Sequence, residues 1–296
     1  MLGIRMIPPA LALLWGLNWP AVKTALSAFE PFALRAIGLG AGAVLLALVG
    51  LALGRSPRIP RRSWGPLVTA GIFNIAGFNL ATAFAQMNTS TSRAAILTFT
   101  TPLWAILMAY VVLDERLDRP KLTALALGLV GIAVLAMPLM GGQGTMLGLV
   151  FPLIAGISWA AGTVYQKARP IAGDRMMVTA YQLLIAAVIG VVGFFVSGES
   201  LPQEVSAKVW TALGFHVVGA TAIAYLLWFT LLDRLSVGAA SLTTFAIPLV
   251  GVLGAMALVG DRPTPLDFVG FAAILAAAAV AMFAAAPVRP RVAKPA

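Results

Sequence analysis

Long apolar stretches separated by short polar segments run through almost the whole chain. A helix needs about 20 apolar residues to cross the roughly 30 Å hydrocarbon core of a bilayer. Ten stretches meet that need, at residues 8–28, 31–53, 64–85, 92–113, 119–138, 146–166, 176–197, 207–231, 237–258 and 265–286. Strands of a membrane barrel are shorter and alternate in polarity, so the pattern predicts an all-α polytopic membrane protein with ten transmembrane helices. The first stretch lacks a clear small-residue cleavage site, and we count it as a span of the mature protein.

The chain also contains an internal repeat. Residues 64–116 align with residues 210–262 at a constant offset of 146, without a gap. The identical pairs include Trp64/Trp210, Ala94/Ala240, Thr98/Thr244, Phe99/Phe245, Pro102/Pro248 and Arg116/Arg262. We predict two five-helix repeats, residues 1–141 and 142–296, that pack as one integral transmembrane unit. Because five spans is an odd number, the second repeat is expected to be inverted relative to the first, as in many secondary transporters.

The charged residues indicate how the chain is oriented. Only 10% of the residues are charged, and the net charge is +10. With a cytoplasmic N-terminus, the inner segments carry fifteen Arg and Lys residues and the outer ends carry four, which are Arg35, Arg93, Lys208 and Arg262. The positive-inside rule therefore predicts that both termini are cytoplasmic. We interpret the basic clusters as topology signals and expect contact with membrane lipids but no nucleic-acid partner.

Several kinds of chemistry lack the residues that they need. The chain has no cysteine and one histidine, and all ten acidic residues fall at predicted helix ends or in loops. We therefore expect no metal site, no cofactor and no Ser-His-Asp or Cys-His catalytic group. The Gly-x-x-x-x-Gly-Lys-Ser/Thr phosphate loop is also absent, so no ATPase subunit is implied. A membrane-embedded enzyme is only a remote alternative.

Polar and aromatic side chains concentrate in the first, third and fourth spans of each repeat. In the first span, for example, Trp15, Asn18 and Trp19 share one helical stripe. Such stripes often serve packing or an interfacial belt, but a polar side chain facing lipid is costly, so these helices are expected to converge on a shared interior. The candidate substrate-binding residues are Trp15, Asn18, Trp19, Asn74, Phe78, Asn79, Thr82, Thr98, Trp159, Thr163, Tyr225, Trp228 and Thr244.

Three further residues have candidate roles in the transport cycle. Pro102 and Pro248 each free a backbone carbonyl within a span and are candidate hinges. His216 is a candidate proton site, although a hydrogen-bonded packing histidine is the favoured interpretation. Amide, hydroxyl and aromatic groups without a fixed carboxylate suit a ligand that has an apolar body and a few hydrogen-bonding groups.

The order of short motifs resembles that of the EamA-type drug/metabolite transporter superfamily. The resemblance rests on Trp15–Lys23 (WGLNWPAVK) followed by Pro31 and Arg35, on Ala94–Leu103 (AAILTFTTPL) and on Asp114–Leu117 (DERL), and it recurs at Pro248 and Asp261. It implies a multi-pass carrier of the bacterial inner membrane that exports small metabolites. Within the superfamily the chain looks most like the YddG-type aromatic amino acid exporters. Unlike the first repeat, the second has no asparagine at the position that matches Asn18.

Taken together, these observations favour an exporter of amino acids, aromatic ones first, that works by alternating access. We expect a facilitative carrier and a monomer. The alternative is a proton-coupled multidrug or other metabolite exporter. Smaller relatives with that activity use a glutamate in the first span, and this chain has none there.

Overall fold

A computed structural model describes residues 6–114, 116–140, 144–232 and 246–284. All of the regular secondary structure in these residues is helical, which confirms the predicted all-α fold. The helices of the first half are α1 (Ile7–Gly16 and Asn18–Ala25), α2 (Pro31–Ala52), α3 (Trp64–Ala70, Gly71–Gly77 and Phe78–Asn88), α4 (Thr91–Thr98 and Thr101–Leu113) and α5 (Arg119–Met140). Those of the second half are α6 (Met146–Ala168), α7 (Arg175–Ser197), α8 (Ala207–Gly214, Phe215–Ile223 and Ala224–Leu232), α9 (Ala246–Leu258) and α10 (Pro265–Ala284).

Among the described residues, seven helices have the length and composition needed to cross a membrane. They are α2 to α8, and shorter apolar helices precede and follow them. Each of the ten predicted stretches contains at least one of the described helices. The chain is therefore a polytopic membrane protein. Residues 237–245 of the ninth predicted stretch and 285–286 of the tenth lie outside the described part of the chain.

Four of the helices are interrupted. The first helix breaks at Leu17, three residues before Pro20, whose missing N–H leaves the Gly16 carbonyl without its usual helical partner. The fourth breaks at residues 99–100, immediately before Pro102. In the third helix the interruption is a π-helical segment, Gly71–Gly77.

A second π-helical segment occurs in α8, at Phe215–Ile223. At the repeat offset of 146, residues 71–77 correspond to residues 217–223, so the two segments occupy matching places in the two halves. π-Helical turns are rare and are frequently found at functional sites. They therefore direct attention to α3 and α8.

The two halves pack against each other in a reciprocal way. The most extensive pairings are α3 with α6, α2 with α7 and α5 with α10. The first helix packs on α8 and α9, while α6, its counterpart in the second half, packs on α3 and α4. Each half therefore completes its core with helices of the other, and the chain forms one body.

Polar contacts join α2 and α7 at both ends of the pair. At one end the backbone N–H groups of Phe32 and Ala33 donate to the Glu199 carboxylate, at 3.1 and 2.8 Å. At the other end Arg55 pairs with Asp174, at 3.7 Å. Helix α8 packs closely on α2 at Gly38 and Gly42. A Cβ added at either glycine would overlap side chains of α8. Helices α2, α3 and α8 thus meet inside the protein.

Candidate substrate-binding site

A buried arginine, Arg35, lies where α2, α3 and α8 meet. Its Nε donates to the Asn79 carbonyl at 2.8 Å, and its Nη2 donates to the Thr82 hydroxyl at 3.1 Å. Its Nη1 lies 3.4 Å from Nε2 of His216. Only 2% of Arg35 and 1% of His216 is exposed. We call Arg35, Asn79, Thr82, His216 and Asn18 the Arg35 cluster.

The amide of Asn18 determines which nitrogen of His216 carries the proton. Its Oδ1 lies 2.8 Å from His216 Nδ1, and an amide oxygen can only accept a hydrogen bond. Nδ1 therefore carries the hydrogen, and the lone pair of Nε2 faces the Arg35 guanidinium. The imidazole is neutral in this arrangement and links α1, α2 and α8 across the two halves.

A second polar group surrounds the buried Asn74, which lies in the π-helical segment of α3. Its Nδ2 donates to the Trp159 carbonyl at 2.9 Å and to the Thr163 hydroxyl at 3.2 Å. Its Oδ1 accepts from Gln166 Nε2 at 2.6 Å, and Gln182 donates to Gln166 Oε1 at 3.5 Å. We call these five residues the Asn74 cluster. It joins α3 of the first half to α6 and α7 of the second.

Aromatic rings adjoin both clusters. Trp15 packs edge-on against Tyr225 and at a tilt against Trp228, with 5.7 Å between ring centroids in each pair. The Trp15 indole N–H donates to the Ala220 carbonyl at 3.0 Å, within the π-helical segment of α8. In the matching place of the other half, Trp159 packs edge-on against Phe78, with centroids 4.8 Å apart. The Tyr225 side chain also lies near Asn79 and Arg35, so its ring borders the Arg35 cluster.

The structure thus brings most of the predicted site residues together at the junction of the halves. Asn18, Asn79, Thr82 and His216 lie in the Arg35 cluster. Asn74, Trp159 and Thr163 lie in the Asn74 cluster. The aromatic pairs contain Trp15, Phe78, Tyr225 and Trp228. The binding role of each residue is still a prediction.

The remaining predicted residues lie elsewhere. Trp19 packs toward Gly251 of α9. Thr98 is the last residue before the break in α4, and its buried hydroxyl has no hydrogen-bond partner among the described residues. Pro102 is the second residue of the second part of α4, and Pro248 is the third residue of α9. Thr244 lies outside the described residues.

Arg35 was counted only among the charges at the outer ends of the spans and was not selected as a site residue. The structure places its guanidinium inside the protein, where it contacts the Asn79 carbonyl, the Thr82 hydroxyl and the His216 imidazole. The sequence signal was present, since a lone cation four residues inside an apolar helix must find polar partners. Gln166 and Gln182 were also not selected, although each is a polar residue within a predicted span.

Acidic side chains of the second half contact the beginning of α4. The Asp261 carboxylate accepts from the backbone N–H of Ser92 at 2.7 Å. Arg93 Nε pairs with Asp267 Oδ1 at 2.5 Å, and Asp267 Oδ2 accepts from the N–H and hydroxyl of Thr264. These contacts hold α4 against the segment that joins α9 and α10. They lie at the end of the molecule that the charge pattern assigns to the outside.

Comparisons with known proteins were made on the whole chain. An uncharacterized transporter of Bacillus subtilis, YvbV, is 28% identical over 82% of this chain and 79% of its own. The "Probable amino-acid metabolite efflux pump" of Escherichia coli is 25% identical over 88% of each chain. The uncharacterized inner membrane transporter YedA of Escherichia coli is 26% identical over 94% of this chain and 92% of its own.

A solved crystal structure has the same fold. It covers 95% of this chain and 96% of its own, with a TM-score of 0.66 and 23% sequence identity. The sequence model of the EamA-like transporter family matches residues 9–137 and matches a second time at residues 146–283. These two matches include nearly all of the described helices of both halves. The chain belongs to the EamA-like transporter family.

Proposed function

We propose that this membrane protein exports amino acids, aromatic ones first, by alternating access between two inverted five-helix repeats. The observation that carries the proposal is the composition of the junction between the halves. There the Arg35 cluster, the Asn74 cluster and the aromatic pairs combine amide, hydroxyl and indole groups from both halves. Such a lining complements a ligand with an aromatic body and several polar groups. The relative named as a probable amino-acid metabolite efflux pump agrees with this substrate class.

The inverted arrangement has two kinds of support. The family match recurs in each half, and the halves exchange equivalent helix contacts. With five spans per repeat, both termini would be cytoplasmic, as the distribution of Arg and Lys predicts. A bacterial inner membrane location follows from the proposal and accords with the name of YedA, an inner membrane transporter.

Alternating access requires contacts that close one end while the other is open. The contacts of Asp261 and Asp267 with the beginning of α4 cross between the halves. We assign to them the closure of the outer end. Movement of α4 away from α9 and α10 would then open a path from the junction to the outside.

We propose that the carrier is facilitative. A proton-coupled exporter needs an ionisable group inside the membrane that exchanges protons during the cycle. His216 is the candidate, but protonation of its Nε2 would set an imidazolium against the Arg35 guanidinium. That arrangement opposes proton uptake, so His216 is better suited to orienting Arg35.

A solute-counterflow screen in proteoliposomes tests the proposal. Purified protein would be reconstituted with an internal pool of each solute, across amino acids, nucleosides and organic cations. The proposal expects aromatic amino acids to exchange fastest without an imposed pH or voltage gradient. Exchange of organic cations but not of amino acids would favour the multidrug alternative instead.

A further inference from the structure

The charge of Arg35 has no acidic partner among the residues that the structure describes. Its three contacts are a backbone carbonyl, a hydroxyl and a neutral imidazole. By contrast, Arg93 and Arg55, which also lie near ends of spans, each pair with an aspartate. Arg35 is far more deeply buried than either of them.

A buried guanidinium without an anion is unfavourable, because neutral acceptors replace only part of the hydration that it loses. Ionisable residues inside membrane proteins therefore commonly mark the path of a substrate or ion. A guanidinium has five N–H donors, and the three contacts leave two of them for another acceptor. Its planar fork matches the two oxygens of a carboxylate.

The surroundings of Arg35 fit the rest of such a ligand. Tyr225, which packs against Trp15, lies near the same Asn79 whose carbonyl holds Arg35. A carboxylate at the guanidinium would thus have an apolar, aromatic surface beside it. Neither half supplies this site alone, because His216 and Tyr225 belong to the second half and Arg35 to the first.

The contacts of Arg35 also differ in how they would respond to movement. Those with Asn79 and Thr82 are formed within the first half and measure 2.8 and 3.1 Å. The contact with His216 crosses between the halves and is the longest, at 3.4 Å. A movement of α8 relative to α2 would therefore uncover Nη1 while α3 still holds the rest of the side chain in place.

From this geometry we infer that Arg35 binds the carboxylate of the transported solute when the halves separate. The inference rests on the proposed function only in requiring that the solute crosses at the junction of the halves. It narrows the substrate class to solutes that carry a carboxylate, with or without an amino group. Amides and amines of the same shape would be poor substrates.

Analogues that differ only in the charged group test the inference on the unaltered protein. Counterflow would be measured for phenylalanine, phenylpyruvate, phenylalaninamide and phenethylamine. Hydrogen bonds to charged groups contribute about 1.5–3 kcal/mol, so loss of the carboxylate should slow exchange by about 10- to 150-fold. This comparison needs no variant and stands even if changes at Arg35 impair folding.

Three variants then test the residue itself. Arg35→Gln should lower carboxylate exchange by a similar factor and leave the slow exchange of phenylalaninamide unchanged. Arg35→Lys should recover part of the carboxylate exchange, because it keeps the charge but loses the fork. Lys208→Gln removes an exposed cation near the same end of the molecule and is the matched control, with exchange rates expected to equal those of the unaltered protein. Yield and melting temperature in detergent would be compared for all four proteins.

The outcomes separate this inference from the proposed function. If phenylpyruvate exchanges and no amino acid does, the amino acid proposal fails and the role of Arg35 stands. If amino acids exchange but their amides do so equally well, or if Arg35→Gln slows both alike, Arg35 is a structural cation and the inference is overturned. Exchange of phenethylamine alone would overturn both.

Discussion

The ion pair between Arg93 and Asp267 allows a direct test of closure at the outer end. The proposed perturbation is Asp267→Asn, which removes the charge but keeps an oxygen for the Thr264 contacts. Loss of one partner from a fully buried pair costs about 3–5 kcal/mol. The cost here is smaller, because 20% of the Arg93 side chain is exposed and water can solvate it. We expect about 1–2 kcal/mol, which shifts the equilibrium toward the outward-open state by roughly 5- to 30-fold.

A single cysteine can report this shift, since the natural chain has none. Ala95 of α4 is buried and faces Gly251 of α9, so separation of α4 from α9 would expose it. The assay is the labelling rate of Ala95→Cys by a membrane-impermeant maleimide added to whole cells. We expect the rate to rise by about the same 5- to 30-fold when Asp267→Asn is added.

Asp174→Asn is the matched control at the opposite end. Its partner Arg55 is 55% exposed, so this pair contributes only about 0–1 kcal/mol, and asparagine still caps the beginning of α7. Labelling of Ala95→Cys should therefore stay the same or fall in this variant. An unchanged rate in Asp267→Asn at normal expression, or an equal rise in both variants, would refute the assignment of Asp267 to the outer closure.

Three more predictions follow from the site and the topology. Asn18→Ala, Trp159→Ala and Tyr225→Ala should each weaken solute binding by about 1–3 kcal/mol in counterflow measurements, because each removes a hydrogen-bonding or stacking group at the junction. Membrane insertion should change little. Normal flux in all three variants would eliminate the proposed site. Cysteines placed near Arg58, Lys121 and Arg169 should be labelled only from the cytoplasm and those near Gly142 and Glu204 only from outside, whereas labelling of Gly142 and Arg58 from one face would contradict the inverted repeat. His216→Gln should retain substantial flux without any gradient, since glutamine can form hydrogen bonds with both Asn18 and Arg35. The contrary result would be solute accumulation that an imposed proton gradient drives and that this variant loses. That result would make His216 the coupling residue.

The helices of this protein were predictable because their signal is local. About 20 consecutive apolar residues define a span regardless of what surrounds it. The breaks at Leu17 and before Pro102 also had a local cause in nearby prolines. The π-helical segments were not predicted, because residues 71–77 have no local feature that distinguishes a π turn from an α turn.

The candidate site was predictable only in part. The helical stripes identified Asn18, Asn74 and Trp159 because a polar or indole group in a span must find a partner within the protein. The partners themselves depend on how distant helices pack. Arg35 illustrates the limit, since its position near a helix end suggests exposure until α3 and α8 are placed against it.

The matching π-helical segments also show what the two copies of the repeat have in common. Each copy has the backbone irregularity at the equivalent place. The polar residues that adjoin them are not shared in this way, since Asn18 corresponds to Gly162 and His216 to Ala70. The two copies thus have the same backbone irregularity but different polar side chains, and one supplies the asparagine and the other the histidine of a single cluster.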